Sequence, residues 1–240
     1  VKFQTVTPDE ITLDCDSPWF RFEKGNPWSY ETMYELEVAT CMPREWYGPL
    51  IEKVESLGLE WFSSPFDEGS VDFLETLGCP RYKIASQEIT HSPLIKKCAA
   101  LGKPIIVSTG VATKSDILRA LADCRGEGNP NVTLLKCTSA YPTPVDRMEL
   151  SAIERLRREF GVKVGLSDHS VGSLAPVVAT SLGASMIEKH FILNKSMPSE
   201  DAPFSLDEVE FTQMVHDVEE AVSALGTGIN YVEKDAPERR

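Results

Sequence analysis

The sequence predicts a parallel α/β protein of the (β/α)8, or TIM, barrel type that lacks the first βα unit. Three observations predict it. Short apolar runs alternate with amphipathic segments throughout the 240 residues, the pattern of a parallel sheet covered on both faces. From the second run onward the runs begin at Leu59, Tyr82, Pro104, Val132, Val162 and Met186, at intervals of 22 to 30 residues. One βα unit is therefore used many times. Glycine marks the helix-to-strand junctions at Gly58, Gly78, Gly102, Gly161 and Gly183, where a left-handed residue ends a helix without a Cβ clash.

In order, the strands are expected at Val1–Thr5, Leu59–Pro65, Tyr82–Ser86, Pro104–Thr109, Val132–Ser139, Val162–His169 and Met186–His190. Each is a short run rich in β-branched and apolar residues. Helical periodicity lies between them at Pro49–Leu57, Pro93–Leu101, Lys114–Asp123, Met148–Phe160 and Ser173–Leu182. Seven strands are one short of a closed barrel, and Val1 already lies inside a strand. The expectation is a single barrel domain over residues 1–240, truncated at its N-terminal side. The alternative is an open doubly wound sheet. Polar residues at all seven strand ends favour the barrel, since an open sheet gathers its site at one switch point.

The first interval is longer than the others. It holds Trp19, Phe20, Phe22, Trp28, Tyr30, Tyr34 and Trp46, with Pro18, Pro27 and Pro43. A long aromatic βα loop on a barrel is expected to cover the site. Near the other end, Ser205 ahead of Glu208 reads as a helix N-cap.

The formal net charge of -13 argues against nucleic acid or an anionic membrane as a partner. It leaves room for a small anion held by local lysines and backbone amides. No apolar run approaches the roughly 20 residues of a membrane span, and no secretory signal opens the chain. The six cysteines form no C-x-x-C pair. They read as buried thiols of a reducing, cytoplasmic protein.

Barrel chemistry gathers at the C-terminal ends of the strands. His169 and His190 close two consecutive strands there, and two imidazoles at neighbouring strand ends can share one divalent metal. The alternative is two unrelated histidines, each bonded locally. Hydroxyls recur at the other ends, at Ser64, Ser86, Ser108, Ser139 and Ser167. With Lys2 and Lys83, these are the donors and charges a phosphate needs. Both lysines share the alternation parity of the inward-facing residues. An anionic ligand, or an ion pair with Glu88 or Glu188, would offset their burial. Either lysine could also form a Schiff base.

Six linked motifs carry a family resemblance. They are Val1-Lys2-Phe3-Gln4-Thr5; Tyr82-Lys83-Ile84-Ala85-Ser86; Gly102-Lys103-Pro104 with Ser108-Thr109-Gly110; Cys137-Thr138-Ser139-Ala140-Tyr141-Pro142-Thr143-Pro144; Gly165-Leu166-Ser167-Asp168-His169; and Ile187-Glu188-Lys189-His190-Phe191. In order and spacing this set resembles the sialic acid synthase family over nearly the whole chain. Ser64-Pro65-Phe66-Asp67, Pro43-Arg44-Glu45-Trp46, Glu88-Ile89 and Asp201-Ala202-Pro203-Phe204-Ser205-Leu206 resemble its pseudaminic branch. The sialic and legionaminic branches usually carry Lys-Ile-Gly-Ser in place of Lys83-Ile84-Ala85-Ser86, and sialic acid synthases commonly have asparagine where this chain has Ser139.

The resemblance implies condensation of phosphoenolpyruvate with an open-chain amino-sugar aldehyde, giving a nine-carbon 2-keto acid and phosphate. It implies a manganese or magnesium ion on His169 and His190. Phosphoenolpyruvate would lie on Lys2, Lys83, Ser64, Ser86, Ser108, Ser139 and Ser167. The sugar would meet Gln4, Glu88, Tyr141 and Asp201, and Glu188 would handle a proton. It also implies a homodimer, a first strand ending in glutamate, and a C-terminal antifreeze-like domain that caps the partner's site. Without those two parts the 240-residue piece is expected to be poorly active. The competing readings are a neuraminic or legionaminic acid synthase, a lysine-dependent aldolase, and a barrel that binds sugar without chemistry.

Overall fold

The computed structural model describes residues 1–23 and 30–227. Its core is one parallel sheet of seven strands whose spatial order follows the sequence, β1 to β7. The strands are β1 (Lys2–Thr5), β2 (Phe62–Pro65), β3 (Tyr82–Ile84), β4 (Ile105–Ser108), β5 (Val132–Cys137), β6 (Lys163–Asp168) and β7 (Ile187–Lys189). Every expected strand is present, shorter than its apolar run. The main crossover helices are α3 (Tyr47–Ser56), α4 (Glu68–Thr76), α5 (Ser92–Ala100), α6 (Lys114–Gly126), α7 (Ala152–Phe160) and α8 (Leu174–Ser181). Two shorter helices, α1 (Pro8–Ile11) and α2 (Met33–Thr40), interrupt the long first loop, and α9 (Glu208–Leu225) closes the described chain. The glycines at the five junctions all have φ between 65° and 84°, as their position requires.

The edge strands β1 and β7 are not hydrogen-bonded to each other. Yet Lys2 on β1 forms an ion pair with Glu188 on β7 at 3.2 Å. The sheet is therefore curled into an incomplete barrel whose two edges face each other across its interior.

Alternation along each strand divides the side chains between two environments. Tyr82, Ile84, Ile105, Val107, Leu134, Val164 and Leu166 face outward and join Leu74, Leu94, Ile95, Ile117 and Ile153 in the core under the helices. This buried apolar layer is the main favourable term in folding. The opposite parity points inward. The registers Gln4↔Ser64, Lys83↔Ile106, Cys137↔Ser167 and Ser167↔Glu188 put the polar strand-end residues at similar heights on that face. Ser63 has outward parity, and its hydroxyl pairs with Thr5 beneath Tyr47.

One expectation changes. The cap of α9 is Asp207, which accepts from the Glu210 backbone amide at 3.0 Å while Glu210 returns a bond to the Asp207 amide. Ser205 instead donates to the Asp201 carbonyl at 2.7 Å. Aspartate at the first capping position already offers an ionised acceptor, which suits a helix N-terminus. Among the described residues of the long first loop, Arg21 pairs with Asp16 and Glu31, Tyr34 bonds Asp9, and Glu10 accepts from Ser70 of α4. Trp19 stands 92% exposed. Pro27 and Trp28 lie outside the described residues.

Candidate active site

Glu188 organises the inner face of the barrel mouth. Its Oε1 accepts from Lys83 at 3.3 Å and from the Ser167 hydroxyl at 3.2 Å, and also pairs with Lys2 at 3.2 Å. The carboxylate is buried, which by itself would favour the neutral acid. The two lysines outweigh that and hold its pKa near 2. The lysine side is less well compensated. Burial of Lys83, only 3% exposed, lowers its pKa to about 8 even beside Glu188, and the neighbouring Lys2 pushes the same way. Two cations share one anion, so the trio of Lys2, Lys83 and Glu188 carries an excess positive charge.

Unmatched polar atoms, three of them hydroxyl donors, surround this charge. Among the described residues, seven buried side-chain polar atoms have no partner, and five belong to the candidate site: the hydroxyls of Ser64, Ser108 and Ser139 and one oxygen each of Glu88 and Glu188. Each such atom costs about 1–3 kcal/mol unless a ligand satisfies it. Burial raises the Glu88 carboxyl above its usual range. Glu88 does not reach the lysines, so of the two acids considered from the sequence it is Glu188 that neutralises them.

Ser86 and Ser139 converge on Gly110. The Gly110 amide donates to the Ser86 hydroxyl at 3.1 Å. A Cβ at residue 110 would collide with Ser139 Oγ and stand 3.0 Å from Ser86 Oγ and 3.1 Å from Cys137 Sγ. Glycine is needed here for close approach. Gly110→Ala is expected to lower stability by about 1–3 kcal/mol through overpacking. A denaturant midpoint equal to that of the parent would show that the cradle has slack.

His169 and His190 lie side by side, with ring centroids 5.3 Å apart. The Nδ1 of His169 faces the Thr138 carbonyl at 3.0 Å, and that of His190 faces Asp201 Oδ2 at 3.0 Å. Both partners accept, so each neutral ring carries its proton on Nδ1 and its lone pair on Nε2, the arrangement of a metal-ligating imidazole. Two such nitrogens, completed by water and substrate oxygens, are compatible with several divalent ions. Tyr141 stacks at 4.2 Å on His169, and Phe204 packs at 5.0 Å on His190 and 5.2 Å from Tyr141. Burial raises the Tyr141 phenol to about 12, so it remains a donor at neutral pH. Burial also opposes ionisation of the Asp201 carboxyl, but its bond to His190 holds it below the usual range.

The structure thus brings together Lys2, Lys83, Ser167 and Glu188, places Ser86 and Ser139 around Gly110, and sets Tyr141 and Asp201 on the histidine pair. Ser64 and Ser108 lie on the same inward face. Gln4 is exposed at the rim, and its carbonyl accepts from Tyr47 at 2.8 Å. The residues that sequence reasoning missed are Gly110, Phe204 and Cys137. Burial alone would raise the Cys137 thiol, yet His169, Ser86 and Lys83 together bring it below its ordinary range. In sequence it looked like one more core cysteine, and only strand parity could have set it apart. All six cysteines are free, four of them buried and Cys15 and Cys41 half-buried. Among the described residues the one group of three potential metal ligands with matching spacing is His216, Asp217 and Glu220 on α9. It lies outside this pocket, and Asp217 already accepts from Ser173 and Gln213.

The model of the NeuB family matches residues 1–230. The chain is 47% identical over 226 residues to a pseudaminic acid synthase of Helicobacter pylori, covering 94% of this chain and 66% of that protein. It is 46% identical over 228 residues to one from Campylobacter jejuni, covering 95% and 66%. The chain therefore spans about two thirds of the length of these relatives. A crystal structure of N-acetylneuraminic acid synthetase from Leptospira borgpetersenii, in complex with citrate, superposes with a TM-score of 0.85 at 27% identity, over 99% of this chain and 78% of that one. No helix among the described residues is long and apolar enough to cross a membrane.

Proposed function

The chain belongs to the NeuB family, and on that premise we propose that it is the barrel of an enzyme that condenses phosphoenolpyruvate with an amino-sugar aldehyde. The product would be a nine-carbon 2-keto acid, most specifically pseudaminic acid, and inorganic phosphate would leave. The observation that carries the reading is a pair of lysines sharing one carboxylate, lined by unpartnered hydroxyls, beside a histidine pair. A doubly ionised small acid such as phosphoenolpyruvate supplies the missing anion and the missing acceptors. Identities of 47% and 46% to pseudaminic acid synthases support the choice of sugar.

A divalent ion on His169 and His190 would polarise the aldehyde oxygen when bound. The chain's own groups do the rest. Lys2, Lys83, Ser64, Ser86, Ser108, Ser139 and Ser167 hold the phosphate and carboxylate, which fixes carbon 3 of the enol against the aldehyde carbon. A carbon–carbon bond forms there, water adds to carbon 2, and the tetrahedral intermediate expels phosphate toward the lysines. Glu188, with its pKa near 2, is ionised at neutral pH. Its part in proton handling is that of an acceptor. Tyr141 offers a donor and Glu88 a carboxyl group to the sugar, and Gln4 reaches it from the rim.

Asp201 serves the sugar through His190, whose Nδ1 it holds. Asp201→Asn should lower turnover roughly 10- to 100-fold, as loss of such a supporting partner does, with phosphoenolpyruvate affinity near normal. Wild-type sugar kinetics would refute that role.

The decisive experiment is product mass spectrometry on the full-length protein with phosphoenolpyruvate and a panel of amino-sugar aldehydes. A nine-carbon keto acid with stoichiometric phosphate supports the reading, and no phosphate release defeats it. One observation favours a second reading: a lysine with pKa near 8 suits a Schiff-base aldolase. Borohydride trapping with substrate separates the two, since only the aldolase leaves a reduced adduct on Lys83. The free thiols support a reducing, cytoplasmic setting. Exposed Phe191, Leu193 and Met197 beyond β7 support a homodimer built around the mouth, which light scattering would test.

A further inference from the structure

One residue before each histidine lies a fully buried ion pair. Asp168 ends β6, Lys189 ends β7, and the two are direct partners in the parallel register. Both have outward parity, opposite to the histidines. Lys189 Nζ meets Asp168 Oδ2 at 2.8 Å, with side-chain exposures of 1% and 0%. The other Asp168 oxygen accepts from the Ser170 amide at 2.8 Å, and Lys189 also donates to the Ser170 carbonyl. The link therefore grips the chain on both sides of His169 and immediately before His190. On the mouth side the Thr143 amide bonds the His169 carbonyl, and the Leu206 amide bonds the His190 carbonyl, each at 2.9 Å.

A buried ion pair is a poor way to gain stability, because desolvating two charges offsets most of their attraction, and an apolar pair of like volume often serves as well. Such pairs are best attested where they fix a register. Here the register it fixes is the relative height of the two imidazoles. A shift of one strand end against the other would move the Nε2 atoms apart with little change to the apolar core.

We infer that Asp168 and Lys189 are positioning residues that set the spacing of His169 and His190 for a divalent cation. This rests on the metal reading given above. Affinity for the ion then depends on a charge pair that touches neither ion nor substrate.

The test is binding of Mn2+ alone to the full-length protein, read as free ion by electron paramagnetic resonance. Phosphoenolpyruvate affinity and thermal melting are measured in parallel. The double variant D168N/K189M keeps the acceptor for the Ser170 amide and the lysine's apolar stem, and buries no net charge. Mn2+ affinity should fall roughly 10- to 100-fold, with melting and phosphoenolpyruvate affinity close to the parent. Unchanged Mn2+ affinity in a folded double variant would overturn the inference. So would an equal loss of phosphoenolpyruvate affinity, which would mark a general structural role. Should the double variant not fold, K189R decides. It keeps the charge but replaces one point donor with a wider fork, and should weaken Mn2+ alone; parent-like Mn2+ binding would overturn the inference. A parent protein that binds no Mn2+ would instead defeat the metal reading itself.

Discussion

Replacing His169 or His190 with alanine in the full-length protein should lower turnover by about a thousandfold or more and leave the barrel folded. Charge stabilisation by a bound cation is worth several kcal/mol in the transition state, and each 1.36 kcal/mol is a factor of ten in rate. The structural loss is small by comparison. Each ring gives up one hydrogen bond, to Thr138 or Asp201, worth about 1 kcal/mol net, and some aromatic packing against Tyr141 and Phe204. Neither ring belongs to the apolar core under the helices. Circular dichroism and thermal melting should therefore stay close to the parent while activity disappears. Either variant retaining near-normal turnover would remove the histidine pair from the mechanism. A variant that loses activity only by unfolding would make the histidines structural.

Lys83→Ala should weaken phosphoenolpyruvate binding by roughly 10- to 150-fold. A charge-assisted hydrogen bond is worth about 1.5–3 kcal/mol, and 1.4 kcal/mol is tenfold in affinity. The field changes as well. Without Lys83, the Lys2–Glu188 pair leaves the pocket near neutral, and the excess positive charge that draws the anion is gone. The parent carries a pH signature with a definite sign. Burial lowers the Lys83 pKa to about 8, so the free protein loses this charge as pH rises through 8. An anion bound beside it favours the protonated form. Affinity should be nearly flat below pH 8 and fall above it, by up to tenfold per unit as binding takes up a proton. Calorimetric titration between pH 7 and 9.5 checks both statements. Lys83→Ala should remove this pH dependence as well as weaken the binding. An unchanged dissociation constant in the variant would exclude the role outright.

How much of this was legible follows from what kind of information each feature needs. The period of two along a strand is local. Lys2 and Lys83 could thus be assigned inward parity from the chain alone, and the structure keeps that parity. The glycine junctions were equally local, since a positive φ is a property of one residue. The capping of α9 was also local and was misread. Ser205 and Asp207 each offer a capping oxygen with an acidic residue three positions on, and the tertiary bond from Ser205 to Asp201 removes the first from the competition.

By itself, then, the sequence determined the parallel α/β architecture, the order and parity of the strands, and which polar residues reach the mouth. Tertiary structure alone decided who meets whom there. Lys83 and Glu188 are 105 positions apart, and whether two cations share one carboxylate depends on how far the sheet curls to bring β1 against β7. The same holds for Asp201 on His190, for Ser139 against Gly110, and for the buried Asp168–Lys189 link. Alternation fixes the face on which a side chain stands. Only the curvature of the sheet, set by the packing of helices over its whole outer face, fixes the distance between side chains on strands that are not neighbours in sequence.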